Sequence, residues 1–132
     1  MADIDPAALA KPFWDGVAAD RLVMQRCLVD AHVRFPIQDS CPNCLSEEYE
    51  WVTLSGTGTV LSKVTFHRAY KAEWAERVPY DVLLVQLDEG PRMFSGPAAG
   101  DQGRLSIGDR VSARFEDVLP GNRLPVFTAW EG

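Results

Sequence analysis

Apolar positions follow a helical spacing only near the N-terminus of this chain and alternate two by two from about residue 51 onward. In "PFWDGVAADRL", residues 12–22, Phe13, Trp14, Val17 and Leu22 fall on one face of a short amphipathic helix, with Pro12 tolerated in its first turn and Gly16 as its weak point. "RLVMQRC" then predicts a short strand and "HVRFPIQDSCPNC" a return strand. Beyond Trp51 the segments are strands punctuated by glycine and proline. In "GTGTVLSKVTFH" the alternation predicts Val60, Val64 and Phe66 on the buried face, with Lys63, Thr65 and His67 on the other. "YDVLLVQLDEG" is almost uniformly apolar, which predicts an interior strand ending in a turn at Asp88-Glu89-Gly90. "PRMFSG" supplies a short third strand. "IGDRVSARFEDV" puts Val111, Ala113 and Phe115 inside, with Ser112, Arg114 and Glu116 outside, and "NRLPVFTAW" is a fifth strand after a Pro-Gly-Asn turn. Five short antiparallel strands of this kind predict a small Greek-key barrel of the OB type. The connection "HRAYKAEWAERVPY" is too long for a hairpin turn and contains a helix-like "YKAEWAERV", a length that points to a functional or architectural use.

The expected fold class is mostly β: an N-terminal helical segment (1–22), a zinc-ribbon-like domain (23–50) and a five-stranded OB-fold domain (51–132). No apolar run is long enough to span a bilayer. "MADIDPAALAKPFWDG" lacks the basic start and apolar run of a signal peptide, so the expectation is a cytoplasmic protein. A formal net charge of −6 with no basic stripe argues against a polyanionic partner, and nucleic acid is a poor candidate.

Three cysteines are too few for a secreted disulfide framework, and their spacing directs attention to metal. Cys41-Pro-Asn-Cys44 is a complete Cys-x-x-Cys knuckle, whereas upstream Cys27 has Asp30 where a second cysteine would stand. Cys27, Asp30, Cys41 and Cys44 are the candidate zinc ligands, because carboxylate oxygen is an acceptable if less usual fourth donor. His32 and Asp39 are near enough in sequence to compete for that corner, and Arg26 and Arg34 are near enough to offset its negative charge. The alternative is a metal-free ribbon whose cysteines act as small buried hydrophobes.

Catalytic machinery is not evident. No Ser-His-Asp series is recognisable, and "SGTGT" lacks the Lys-Ser/Thr of a phosphate-binding loop, so its glycines are read as shaping the barrel entrance. His67, at the end of a strand beside the long connection, is a weak candidate for a binding or catalytic role, the plainer reading being a surface residue. Tyr70, Trp74 and Tyr80 with Arg68, Lys71, Arg77 and Arg92 make a mixed aromatic and cationic surface, suited either to packing on its own barrel or to meeting a partner and anionic groups. Phe13, Trp14, His67, Arg68, Tyr70, Trp74, Tyr80 and Arg92 are the candidate ligand or partner contacts.

The ordered series "FWDG", "QRC", "RFP", "CPNC", "EW", "SGTGTVLS", His67, "VPY", "VLLVQLDEGPR", "IGDRV" and "LPVF" resembles the family known as domain of unknown function 35, over roughly residues 12–128. That resemblance implies a rubredoxin-like zinc ribbon joined to an OB-fold, with Asp30 departing from the family's usual second cysteine. It also implies an accessory role beside a thiolase-fold enzyme, such as a thiolase, retro-aldolase or acyltransferase, or beside an acyl-CoA hydratase. The reaction class implied for the partner is carbon–carbon bond cleavage or formation next to a thioester. The expected function is therefore a non-catalytic subunit binding acyl-CoA, scaffolding the partner, or both. The alternative is an independent OB-fold module for acyl-CoA or single-stranded nucleic acid, and an autonomous enzyme is a third reading.

Overall fold

Two antiparallel sheets built from short, β-branched-rich strands organise the chain in the computed structural model, which describes residues 6–67, 79–119 and 122–130. A short helix α1 (Pro6–Leu9) leads into α2 (Lys11–Ala18). The ribbon sheet follows, with β1 (Val23–Cys27) between β2 (Val33–Arg34) and β3 (Tyr49–Thr53). The second sheet contains β4 (Thr57–Phe66), β5 (Tyr80–Leu87), β6 (Arg92–Ser95), β7 (Arg110–Leu119) and β8 (Asn122–Ala129), in the order β6-β5-β4-β7-β8. Its ends are drawn together after β6: Phe127 N–H donates to Gly96 O at 3.0 Å and Ala98 N–H to Phe127 O at 2.7 Å, so the curled sheet closes as an OB-like barrel. The mostly β class and the five barrel strands agree with the sequence reading, and no helix among the described residues is long and apolar enough to cross a membrane.

Gly16, the apparent weak point of α2, is required by packing: a Cβ there would lie 2.7 Å from Val23 Cγ2 and 2.9 Å from Arg21 O. The helix can therefore approach β1 closely enough to bury Phe13 and Val17. These join Met24 and Val33 of the ribbon and Val60, Leu83, Val85, Met93 and Phe127 of the barrel in one contiguous core. Arg123 of β8 ties the same helix down from the other side, donating to Val17 O at 3.3 Å and pairing with Asp20.

Two expectations about strands need correction. The return strand through "HVRFPIQDSC" is only Val33–Arg34, because Pro36 has no N–H to give to a ladder. The segment beyond it is held by a side chain instead: Gln25 Oε1 accepts from Gln38 N–H at 2.9 Å and from Arg34 Nε at 3.1 Å. In β4 the expected alternation reverses partway along. A register shift between Val60 and Ser62 leaves Leu61 as the extra residue, so Val64 faces solvent while Lys63 lies opposite buried Leu83 and Thr65 opposite Asp81. At the start of the same strand Gly58 admits its neighbour, since a Cβ would meet Gln86 O at 2.5 Å.

Candidate functional site

The candidate metal-ligating residues sit on two loops with the same backbone geometry. In the first, Cys27 N–H donates to His32 O at 2.9 Å and Ala31 N–H returns to Cys27 O at 3.0 Å. In the second, Cys41 N–H donates to Ser46 O at 2.8 Å and Leu45 N–H returns to Cys41 O at 2.8 Å. Ala31 and Leu45, each just after the second ligand position, share a left-handed backbone with φ of 64° and 65°. Asp30 thus occupies in the first knuckle the place of Cys44 in the second. The ligand atoms of Cys27, Asp30, Cys41 and Cys44 all lie within 4.8 Å of one another. Neither His32 nor Asp39 belongs to this group among the described residues.

The donor set fits a tetrahedral cation. Zinc bonds of about 2.3 Å to sulfur and about 2.1 Å to oxygen set tetrahedral edges near 3.8 Å between sulfurs and near 3.6 Å between sulfur and oxygen. Here Cys27 Sγ and Cys44 Sγ are 3.6 Å apart, and Cys41 Sγ lies 3.5 Å from Asp30 Oδ2. Backbone donors already favour negative charge at this spot, with His32 N–H on Asp30 Oδ1 at 3.0 Å and Val29 N–H on Cys27 Sγ at 3.4 Å. The His32 amide, helped by the Cys27 thiol, holds the Asp30 carboxyl below its ordinary range. Burial raises the Cys41 thiol, but the Cys44 and Asn43 amides together with the Cys44 and Cys27 thiols outweigh it and the net shift is downward. At Cys44 the Ser46 amide favours the thiolate, yet burial together with Cys27, Cys41 and the Asp30 charge drives the thiol up to about 11. Three thiols and a carboxylate this close become four anionic donors only around a cation, which would release their protons on binding. Neither proposed arginine plays that part by contact: Arg26 pairs with Glu50, and buried Arg34 bonds Gln25 and Gln38 O and lies 4.9 Å from the Tyr49 ring centroid.

The second feature is a groove of about 600 Å³ where helix, ribbon and barrel meet. Phe13 and Trp14 of α2 and Phe35 of the ribbon form one wall; Tyr80 and Val82 of β5, Met93 and Phe94 of β6, and Leu124 to Val126 of β8 form the other. Phe13 meets Trp14 edge-on at 5.0 Å and Phe35 at 5.7 Å, which makes this wall a connected aromatic surface. Trp14 and Phe94 are 48% and 71% exposed at its rim, large apolar side chains that the described residues leave uncovered. The acidic side chains of Asp81, Glu116 and Asp117 also line it.

Of the candidate contact residues, the structure gathers Phe13, Trp14 and Tyr80 into this groove. Tyr80 is also stacked on Phe66, with centroids 5.3 Å apart. His67 is exposed at the end of β4 and Arg92 donates to Gln86 Oε1 at 2.9 Å; neither lines the groove, although Arg92 shares a strand face with Phe94. Arg68, Tyr70 and Trp74 lie outside the described residues. The sequence reading did not assign Phe35, Phe94 and Pro125 to a contact surface, because they become neighbours only through the fold.

Comparison with known proteins agrees with this architecture. The family description "ChsH2, rubredoxin-like zinc ribbon domain" matches residues 14–50, and "ChsH2, C-terminal OB-fold domain" matches residues 51–116. The chain is 37% identical over 123 residues to the 3-oxo-4,17-pregnadiene-20-carboxyl-CoA hydratase alpha subunit of Mycobacterium tuberculosis, covering 87% of this chain but 39% of that protein. It is 31% identical to a DUF35 domain-containing scaffold protein of Methanocaldococcus jannaschii, over 74% of this chain and 69% of that one. It therefore spans less than two fifths of the hydratase subunit and about two thirds of the scaffold protein. Among solved structures, a chain of the "Ltp2-ChsH2(DUF35) aldolase" superposes with a TM-score of 0.79 at 29% identity, covering 98% of both chains. A DUF35 protein from Sulfolobus solfataricus, at 13% identity and a TM-score of 0.63, shares the fold. A ribbon with paired knuckles, joined through one core to an OB barrel, places this chain in the ChsH2/DUF35 family.

Proposed function

We propose that this chain is a non-catalytic accessory subunit that binds an acyl-CoA thioester and scaffolds a thiolase-fold partner, the partner supplying the chemistry. The observation that carries this reading is the apolar, aromatic-walled groove at the joint of ribbon and barrel. A groove of this size and lining suits the apolar portion of a ligand. The carboxylates on its wall disfavour phosphate, so the nucleotide end of CoA extends towards Arg92 or the partner. Such a ligand is shared between subunits, consistent with relatives described as a hydratase alpha subunit, scaffold proteins and part of an aldolase. Among the described residues the three cysteines converge with Asp30 on the knuckle cluster in a metal-ligand arrangement, which supports placing the chemistry in the partner. Zinc bound by Cys27, Asp30, Cys41 and Cys44 stabilises the ribbon and thereby positions Phe35 on the groove wall. The alternative of a nucleic-acid module is disfavoured by the same acidic lining.

The test is to mix the purified chain with each thiolase-fold enzyme of its own host and to follow elution and thioester turnover. A single co-eluting species with activity well above that of the enzyme alone is expected. Two separate species with unchanged activity would remove the accessory reading.

A further inference from the structure

Arg34 is buried in the ribbon, 1% exposed, and enters no ion pair among the described residues. Its partners are neutral. Nε donates to Gln25 Oε1 at 3.1 Å, Nη2 donates to Gln38 O at 3.1 Å, and the guanidinium carbon lies 4.9 Å from the centre of the Tyr49 ring. Nη1 is buried and makes no hydrogen bond with the described residues. A guanidinium keeps its charge inside a protein, and a buried cation without a compensating anion is strongly destabilising.

The placement of this side chain shows where such an anion lies. Gln25 stands opposite Arg34 in the β1–β2 ladder, and Cys27 stands opposite Tyr49 in the β1–β3 ladder. Cross-strand partners share a face, as do residues two apart on one strand, so Gln25, Cys27, Arg34 and Tyr49 project from the same side of the ribbon sheet. Gln25 leads into the first knuckle at Cys27 and Gln38 into the second at Cys41, so the guanidinium is bonded to both entering segments. The Gln25 amide closes this frame by donating to Gln38 O at 2.7 Å. Because Arg34 touches Tyr49, the cross-strand neighbour of Cys27, its charge stands on the order of 10 Å from the cluster.

We propose that Arg34 is the counter-charge of the occupied zinc cluster, a positioning residue that sets how tightly the knuckles hold their metal without touching it. The inference rests on the zinc reading above. Three thiolates and a carboxylate around a divalent cation leave two negative charges in excess. Loading the metal therefore builds into the ribbon the anionic charge that Arg34 lacks. In a low-dielectric interior that attraction acts over such a distance, and salt screens it little. The coupling is reciprocal: the metal stabilises buried Arg34, and Arg34 tightens the metal.

The test measures the zinc affinity of the full chain by competition with a chromogenic chelator, for the unmodified protein and for Arg34→Lys, Arg34→Met and Arg34→Gln. Both neutral variants should bind zinc about tenfold more weakly, whereas Arg34→Lys, which keeps the charge, should stay within about threefold. Two neutral variants keep the result readable if one does not fold. The same changes are then made in an Asp30→His chain, whose three cysteines and one histidine form an ordinary zinc set with one negative charge fewer. There the loss should shrink to about threefold, because a charge–charge attraction scales with the excess charge of the cluster, whereas a role through hydrogen bonds alone gives equal losses in the two backgrounds. Equal losses in the two backgrounds, a loss below about twofold in both neutral variants, or a loss in Arg34→Lys that matches Arg34→Met overturns the proposal while leaving zinc binding standing. Failure of the unmodified chain to bind zinc overturns the zinc reading and this inference with it.

Discussion

In the barrel, Leu83, Val85, Leu87, Val111 and Phe127 are withdrawn from solvent, whereas at the tips of the knuckles Leu28, Val29 and Leu45 are exposed and the buried side chains of the cluster are two cysteines. The barrel is thus stabilised by apolar burial and by closure of its sheet edges. The knuckle end of the ribbon has only backbone turns and four convergent donors, too little apolar area to fold independently. Between these extremes the base of the ribbon shares the barrel's core through Met24 and Val33, and there the groove forms. The comparison teaches that the candidate metal cluster and the apolar core lie at different ends of the chain's fold, and that the proposed binding surface lies where they meet.

The largest expected effect separates the two ends. Structural zinc contributes on the order of 10 kcal/mol to the element that closes around it, so Cys41→Ser, or chelation, should open both knuckles. Elemental analysis should show the zinc lost, and hydrogen exchange should show amides near Cys27 and Cys41 deprotected while those of β5 and β7 stay protected. Equal deprotection of the barrel would mean that the two regions unfold as one unit. The converse change is Leu83→Ala, a fully buried truncation in β5, which should cost about 3 kcal/mol by denaturant unfolding without altering zinc per chain.

Trp14→Ala sharpens the comparison at the joint. This side chain is half exposed, so stability should change by less than about 1 kcal/mol, while affinity for the partner or for acyl-CoA should fall by about 2 kcal/mol in a titration. The smallest effect concerns the barrel surface. Arg110 donates to both oxygens of Asp88 at 2.7 and 2.8 Å, and these bonds, with one from Thr57, hold the Asp88 carboxyl at about 2. Its folded value lies below the ordinary 3.8, so the stability it adds is present above pH 4 and is lost as the pH falls towards 2. Because the pair is about two fifths exposed, solvent screening limits that contribution to under about 1 kcal/mol. Thermal unfolding of Asp88→Asn should differ from the unmodified chain near neutral pH and converge with it at pH 2.

These contrasts also explain what was legible beforehand. The knuckles could be read because their chemistry is local: Cys27 to Asp30 and Cys41 to Cys44 are each one turn, and a turn needs no distant partner to be recognised. The barrel strands could be read from alternation, except where Leu61 interrupts it. An apolar residue at a bulge looks like one more strand position, so Lys63 was assigned to the wrong face and its pairing with Asp81 was invisible. Gln25 and Arg34 read as polar strand residues, yet they are buried because they satisfy each other and Gln38, a network that spacing does not encode. The groove was legible only at Phe13, Trp14 and Tyr80, since Phe35, Phe94 and Pro125 come from three separate elements.

The account's central claim is that the joint of ribbon and barrel is the working surface, and hydrogen exchange of the chain alone and with the thiolase-fold enzyme tests it most directly. The account predicts new protection in α2 around Phe13 and Trp14, in β6 around Phe94 and in β8 around Val126, with acyl-CoA adding to it. Protection confined to other surfaces, or none at these three segments in a complex that nevertheless forms, would contradict it.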